Sequence, residues 1–189
     1  LMPLVKFENG KVLQVEVPHK CGSTTMFRMF NHLQDEYGAE YWKISQQSPY
    51  YGKADYAVAI VRDPVERMKS CYWDRIVNRG KAGEQYSWDY FVNNLPQIRE
   101  QVGDIKIHTL PHTWRLGNDP KFYNEIINTQ TLSKRIPAII QKVSGICMQP
   151  VSAKRSANSK GQTTPVTEEH KDLIRKYFKE DYDLFGDYF

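Results

Sequence analysis

Val17-Pro18-His19-Lys20-Cys21-Gly22-Ser23-Thr24-Thr25 is the stretch on which the fold depends. An apolar alternating run precedes it, and apolar residues follow it at helical spacing as far as Tyr37. This pattern predicts a strand, a tight turn and a helix. Such a turn leaves backbone N–H groups unpaired at a helix start, where the helix dipole favours negative charge. Lys20 and three hydroxyl groups add to this effect, so the stretch predicts a phosphate site.

The residue order in this loop differs from that of the common nucleotide-triphosphate loop. In that loop a glycine is followed directly by lysine and then serine or threonine. Here Lys20 precedes Gly22. We therefore expect a phosphate-like ligand, but not ATP used in the ordinary way.

A second strand-to-helix turn follows the apolar run of residues 54–61. A continuous apolar run of this length is typical of a strand that is buried on both faces of a parallel sheet. Asp63 is placed to cap the next helix, and Pro64 to occupy its first position. Arg62 ends the strand, and Ser70 lies two helical turns later, ~12 Å along the axis at 1.5 Å per residue. One ligand with two separated phosphate groups would fit this pair of turns.

The remaining patterns predict an α/β fold, a three-layer sandwich with a central, mainly parallel sheet flanked by helices. We expect a single domain over residues 1–189, opening with a hairpin at residues 4–17 that turns at Asn9-Gly10. Residues 105–114 are expected to be irregular because Pro111 interrupts both periods. The other expected elements are helices at 23–37, from Pro64, at 88–100, at 131–143 and from about Thr167, strands at 41–44 and 122–127, and a loop at 149–165.

The composition limits the classes of partner. A net charge of +4 is too small for a nucleic-acid-binding surface, but it attracts an anionic ligand. No apolar run approaches the ~20 residues that span a membrane. Three cysteines without a C-x-x-C pair predict neither disulfides nor a zinc site, and the chain has no N-x-S/T sequon. Both features favour a cytoplasmic setting. The alternative is the lumenal domain of a membrane-anchored enzyme.

Both turns resemble motifs of the sulfotransferases that use 3′-phosphoadenosine 5′-phosphosulfate (PAPS). Residues 18–24, Pro-His-Lys-Cys-Gly-Ser-Thr, look like the 5′-phosphosulfate loop of that family. Residues 61–72, Val-Arg-Asp-Pro-Val-Glu-Arg-Met-Lys-Ser-Cys-Tyr, resemble its 3′-phosphate segment, in which arginine is followed eight residues later by serine. Residues 177–186 are similar to the C-terminal tail of the Golgi-type carbohydrate branch. Residues 108–112 resemble that branch's His-x-x-Pro-Gln stretch, with His112 where glutamine is usual.

The resemblance implies roles for these residues toward PAPS and its product, 3′,5′-adenosine bisphosphate (PAP). Lys20 would stabilise the charge that grows on the leaving phosphate. Arg62 and Ser70 would grip the 3′-phosphate, a task that suits the two-pronged guanidinium. The 5′-phosphate would be held by the loop residues Cys21, Gly22, Ser23, Thr24 and Thr25. The late loop that closes over the nucleotide is loosely matched by Asn158, Ser159, Lys160 and Gly161.

The implied reaction is in-line transfer of a sulfuryl group to a hydroxyl or amine of an acceptor, expected to be a carbohydrate. Positioning and electrostatics dominate such reactions, and a general base can remove the acceptor's proton. His108 is the first candidate for this base and His112 the second, whereas His19 is interpreted as a loop residue. The acidic options are Asp35, Glu36 and Glu40.

Other interpretations remain beside this one. The first is a nucleotide kinase, which the inverted order of Lys20 and Gly22 disfavours. The second is a nucleotide-binding module without catalysis, which would keep the phosphate site and lack a base. A metal pair at His108 and His112 is disfavoured because Pro111 argues against the regular helix that it needs. We therefore expect no metal.

Overall fold

The computed structural model describes residues 2–80, 86–149 and 164–189. Five strands form one mixed sheet in the order β3-β1-β2-β4-β5. Strand β1 is antiparallel to both of its neighbours, while β2 pairs with β4 and β4 with β5 in parallel. The strands are β1 (Met2–Lys6), β2 (Val12–Glu16), β3 (Glu40–Ile44), β4 (Tyr56–Val61) and β5 (Glu125–Asn128).

Helices cover both faces of this sheet, which confirms the predicted α/β sandwich. Helix α1 (Ser23–Tyr37) and helix α7 (Leu132–Ser144) pack on one face, where Val58 and Ile60 point into the core. On the other face Ala57, Ala59 and Val61 pack against Leu116 and Phe185. Strand β4 is therefore buried on both faces, as its continuous apolar run predicts.

A second hydrophobic cluster is built almost entirely from helices. It holds side chains such as Met68, Phe91, Ile105 and Phe178 at less than 2 per cent exposure. The helices that contribute to it are α2 (Pro64–Cys71), a π-helical turn (Tyr72–Val77), α3 (Trp88–Asn93), α4 (Leu95–Gln101), α5 (Gly103–His108) and α8 (Glu168–Tyr177). Val65 and Met68 of α2 belong to this cluster, so their burial holds the first turns of α2 in place.

Three of the predicted elements differ in the structure. The helix expected at 88–100 is broken between α3 and α4, because Pro96 enters α4 and cannot continue the bonding of α3. Residues 105–114 are not irregular: α5 ends at His108, and α6 (His112–Leu116) begins after Pro111, which separates two helices. The strand expected at 122–127 is the shorter β5, preceded by a 3₁₀ turn at Pro120–Phe122.

The last described residues form two further short elements. The helix expected from about Thr167 is α8, and after it come α9 (Lys179–Phe185) and a 3₁₀ turn at Gly186–Tyr188. The hairpin of residues 4–17 is confirmed, and Gly10 donates its N–H to the carbonyl of Phe7 at 2.9 Å. In the part of the chain described here, no helix has the length and apolar character needed to cross a membrane.

Candidate active site

The loop between β2 and α1 has an unusual backbone. Lys20 has φ of +64° and Gly22 has φ of +86°, both in the left-handed region. A Cβ atom at Gly22 would lie 3.1 Å from Cδ1 of Leu132 on α7, so the position needs glycine for two reasons. The N–H of Cys21 donates to the carbonyl of Pro18 at 3.2 Å. The chain therefore turns sharply and brings the start of α1 close to α7.

The start of α1 is open. Among the described residues, no side chain caps Gly22 and no acidic residue occupies the first helical turn. Ser23, Thr24 and Thr25 supply hydroxyl groups there, and Thr24 is exposed. A helix start of this kind presents unpaired N–H groups and positive dipole charge to a ligand. The start of α1 thus has the geometry that the predicted phosphate site requires.

Arg62 joins the two turns directly. Its Nη1 donates to the backbone carbonyl of Lys20 at 3.1 Å, and burial lowers the pKa of its guanidinium. Asp63 next to it caps α2, accepting N–H bonds from Val65 and Glu66. Ser70 lies in the last turn of α2 and is partly exposed. The structure therefore brings Lys20 and Arg62 together at one sheet edge, with Ser70 farther along α2.

His112 lies inside the protein, between the two turns. Its ring is 0 per cent exposed, and Nδ1 lies 2.9 Å from Oδ2 of Asp181 on α9. The other nitrogen, Nε2, accepts the backbone N–H of Arg62 at 3.3 Å and lies 3.6 Å from Sγ of Cys21. Burial lowers the pKa of His112 to about 4, so the ring is neutral. Because both nitrogens are occupied and solvent is excluded, the geometry supports a positioning role and not that of the acceptor's base.

His108 is also engaged at both nitrogens. Its Nδ1 donates to the carbonyl of Asp104 at 2.7 Å, and Nε2 accepts from the guanidinium of Arg75. Burial lowers the pKa of His108. Its ring lies 4.6 Å, centre to centre, from the ring of His19, which is exposed. For His108 to accept a proton it must first lose Arg75, so the geometry does not favour it as the base.

His19, interpreted from sequence as a loop residue, is the histidine that faces outward beside Lys20. Although the residue is exposed, contact with His108 partly desolvates its ring. This desolvation, with the neighbouring His108 and Arg115, lowers the pKa of His19 to about 4. Its imidazole is therefore unprotonated and open to a ligand at neutral pH.

Lys20 does not point freely into solvent. Its Nζ lies 2.7 Å from Oδ2 of Asp74 on the π-helical turn, and both side chains are mostly buried. Arg75 and Arg79 also contact this carboxylate through their Nε atoms, each at 3.1 Å. The candidate site therefore contains a cluster of three cations around one carboxylate.

The thiols near the motifs are buried. Burial raises the pKa of Cys21 to about 11 and that of Cys71 to about 12, so neither is a thiolate. The predicted contact of Cys21 with the donor is accordingly restricted to its backbone. Asn158, Ser159, Lys160 and Gly161 lie outside the described residues. Within the described ranges, no group of three histidine, cysteine or acidic side chains could hold a metal.

Sequence reasoning missed two carboxylates and one aromatic residue. Asp74 follows Ser70 by four residues, so helical spacing could have placed it on the same side as the motif. Asp181 accepts the backbone N–H groups of His112 and Thr113, a contact between distant segments that no local pattern reveals. Trp114 is 59 per cent exposed and lines a small cleft with His19. A larger cavity of about 520 Å³ lies beside Gly38, at the far end of α1.

The comparison with protein families agrees with this geometry. The family model described as "Sulfotransferase family" matches residues 5–188, nearly the whole chain. No curated protein and no solved structure matches the chain significantly. The match includes both turns, the buried His112 and the C-terminal helix that holds it. The chain belongs to the sulfotransferase family and is a sulfotransferase.

Proposed function

We propose that this sulfotransferase takes its sulfuryl group from PAPS and transfers it to a hydroxyl or amine of a carbohydrate acceptor. The observation that carries the proposal is the open start of α1, held against Arg62 by the bond to the carbonyl of Lys20. An anion at a helix start needs unpaired N–H groups and a nearby cation, and both are present. A second phosphate needs a further cation, which Arg62 provides.

The residues present fit this donor. The N–H groups and hydroxyls of Ser23 and Thr24 would hold its 5′-phosphate. The guanidinium of Arg62 and the hydroxyl of Ser70 would hold its 3′-phosphate, which distinguishes it from ATP. The small residue at Gly22 keeps this start clear of a side chain that would meet Leu132. Asn158, Ser159, Lys160 and Gly161 are proposed to cover the nucleotide.

The bound donor supplies an activated sulfuryl group on its 5′-phosphate. Lys20 lies at the loop that would hold this phosphate, and its ammonium would neutralise charge developing on the leaving oxygen. Such stabilisation is typically the largest contribution of a protein to group transfer, since the groups are already oriented. Arg62 fixes the backbone of Lys20 and so contributes to this orientation.

We propose His19 as the group that receives the acceptor's proton. It is exposed, unprotonated at neutral pH and adjacent to Lys20, whereas His108 and His112 have no free ring nitrogen. A base this weak suffices where bond formation to the acceptor is little advanced in a loose transition state. The acidic options do not fit: Asp35 and Glu36 lie at the far end of α1, ~18 Å along the axis from Ser23. Glu40 begins the edge strand β3, just after that end of α1.

A carbohydrate acceptor is supported by the cleft beside His19. Trp114 and Ile107 are about half exposed there, and Leu110 completes an apolar wall. Sugar rings present C–H groups on one face, and a tryptophan ring provides a flat apolar surface for them. This cleft adjoins the loop of Lys20, where the sulfuryl group would be transferred.

We expect Trp114→Ala to raise the KM for a glycan acceptor about tenfold with little change in PAP binding, whereas Trp42→Ala on the far edge strand leaves both constants unchanged.

Two measurements test this function. PAP at ~100 times its Kd should raise the free energy of unfolding by about 2.7 kcal/mol, seen as a higher Tm. ATP with Mg²⁺ should stabilise the protein much less; equal stabilisation would favour a kinase and overturn the 3′-phosphate assignment. Transfer of labelled sulfate from PAPS to a glycan panel then separates an enzyme from a binding module. Labelling of phenolic or peptide acceptors alone would overturn the carbohydrate assignment.

A further inference from the structure

The ammonium group of Lys20 is bound by a carboxylate that the proposed mechanism does not use. Nζ of Lys20 lies 2.7 Å from Oδ2 of Asp74, and the two side chains are 17 and 14 per cent exposed. At this distance and degree of burial the pair is much less screened than a surface ion pair. The lysine expected to act on the leaving phosphate is therefore already occupied in the free protein.

Two arginines also contact Asp74, so its carboxylate has cationic partners besides Lys20. Arg79 donates from Nε to Oδ1 at 3.1 Å, and Nε of Arg75 lies 3.1 Å from Oδ2. Burial alone would raise the pKa of Asp74, but the bond and charge of Lys20 with both arginines lower it overall. Asp74 is thus ionised at neutral pH. If Lys20 left, this carboxylate would still be neutralised.

The helix geometry directs Asp74 toward the loop. Helix α2 changes at Tyr72 into a π-helical turn that ends at Val77, and Asp74 lies in its first half. Such wide turns are rare and occur most often at functional sites, because they redirect side chains relative to an α-helix. The backbone of Lys20 is held separately, because Nη1 of Arg62 donates to its carbonyl. The backbone of Lys20 is therefore fixed, while among the described residues Asp74 is the one carboxylate that pairs with its ammonium.

We propose that Asp74 is a positioning residue that serves as an exchangeable counter-ion for Lys20. In the free protein Asp74 holds the ammonium; when an anionic group occupies the start of α1, Lys20 transfers to that group and Asp74 stays with Arg75 and Arg79. This proposal rests on the function proposed above. Because binding must break the Lys20–Asp74 pair, Asp74 weakens binding of the nucleotide while keeping Lys20 at the site.

The test is the affinity for PAP of the full chain, measured by titration calorimetry. Asp74→Asn keeps the size of the side chain and removes the competing charge, so we expect the Kd to fall three- to tenfold. Asp74→Glu should restore an affinity near that of the wild type. The matched control is Asp172→Asn, which breaks an exposed ion pair with Arg175 on α8 and should leave the Kd unchanged.

The outcomes separate this proposal from the proposed function. If the wild-type protein does not bind PAP, the proposed function is wrong. If it binds PAP and Asp74→Asn binds equally or less tightly, the counter-ion proposal is wrong while the function stands. A merely structural role for Asp74 predicts weaker binding and a lower Tm, and damage to the fold would not tighten binding.

A second measurement reports how accessible the amine of Lys20 is, independently of the affinity for PAP. Acylation of lysine residues by a small anhydride is quantified for each peptide by mass spectrometry. We expect Lys20 to react several times faster in Asp74→Asn than in the wild type, because Asp74 no longer shields Nζ, and PAP should suppress the reaction in both. Equal rates without PAP would contradict the proposed pairing in solution.

Discussion

The starts of α1 and α2 have the same topology and opposite chemistry. Each follows a parallel strand and opens at the same edge of the sheet. Asp63 caps α2, with Pro64 at the first position and Glu66 in the first turn. At α1 the capping position is Gly22, and in the described structure no side chain caps it. One helix start is neutralised by its own residues, and the other is the proposed 5′-phosphate site.

The difference indicates how the two turns would divide the binding of the proposed nucleotide. A helix capped by a carboxylate cannot also accept a phosphate at its N–H groups, because the donors are used and the charges repel. Under the proposed function, the turn before α2 would therefore contribute side chains, Arg62 and Ser70, while the turn before α1 would contribute its backbone. Lys20 lies between them, bound through its carbonyl to Arg62.

The largest expected effect comes from Lys20, which belongs to the open turn. Lys20→Ala should lower kcat for sulfuryl transfer about 100- to 1000-fold, the range for loss of one stabilising donor. The Kd for PAP should change much less, because Lys20 exchanges one anion for another on binding. Lys53→Ala, at an exposed loop position, is the control. An unchanged kcat in Lys20→Ala would contradict the role at the leaving oxygen.

Arg62 tests the capped turn. Arg62→Ala should weaken PAP binding roughly 10- to 100-fold, because bonds to charged groups contribute about 1.5–3 kcal/mol. Titration calorimetry measures the Kd, and binding of adenosine 5′-phosphate should be affected less. Arg28→Ala removes the same charge from an exposed face of α1 and should be neutral. A change below twofold for Arg62→Ala would place the second phosphate elsewhere.

His112 connects the two turns, and its protonation should loosen them. The pKa of His112 is about 4 in the folded protein and about 6.5 when unfolded, so between these values the unfolded chain binds more protons. The free energy of unfolding should therefore decrease as the pH falls from 6.5 toward 4, by at most about 1.4 kcal/mol per pH unit from this group. Burial alone would raise the pKa of Asp181, but the bond and charge of His112 lower it overall. The stabilisation that Asp181 provides is therefore lost only below this pH window.

Urea unfolding at several pH values checks this prediction, with His112→Gln as the comparison. Glutamine retains an amide donor and acceptor but does not titrate. The pKa values of His19 and His108 are also lowered, so both proteins keep part of the slope. The wild type should show the steeper loss between pH 6.5 and pH 4. Parallel curves for the two proteins would rule out His112 as a source of acid sensitivity.

The smallest effects are expected from substitutions at the two capping positions, Asp63 and Gly22. Asp63→Ala should lower the free energy of unfolding by about 1 kcal/mol, a decrease in Tm of about 2–4 °C, and leave PAP binding unchanged. Gly22→Ala should cost about 1–2 kcal/mol, because alanine is strained at φ of +86°. It should also weaken PAP binding, since the loop must shift away from Leu132. The reverse pattern would mean that α2, not α1, receives the 5′-phosphate.

Local patterns predicted the strands and helices next to the two turns well. The hairpin, the start of α1 at Ser23 and the cap at Asp63 agree with the structure because each depends on residues within a few positions. The prediction that the segment before Pro111 is irregular was wrong, because α5 is stabilised by the burial of Ile105 in the second hydrophobic cluster. That burial is a tertiary effect, which no period in six residues can reveal. The extent of the domain over residues 1–189 stays a prediction.

The sequence by itself predicted a phosphate site in the loop, because lysine, glycine and hydroxyl residues at a strand-to-helix turn act through local backbone geometry. Only the tertiary structure decided which groups contact the candidate site residues. It placed Asp74 on Lys20 and Asp181 on His112, pairs that are 54 and 69 residues apart in the chain. It also occupied both nitrogens of His108 and His112 and left His19 exposed. The physical reason is that charge pairing and burial depend on proximity in space, which sequence spacing does not encode.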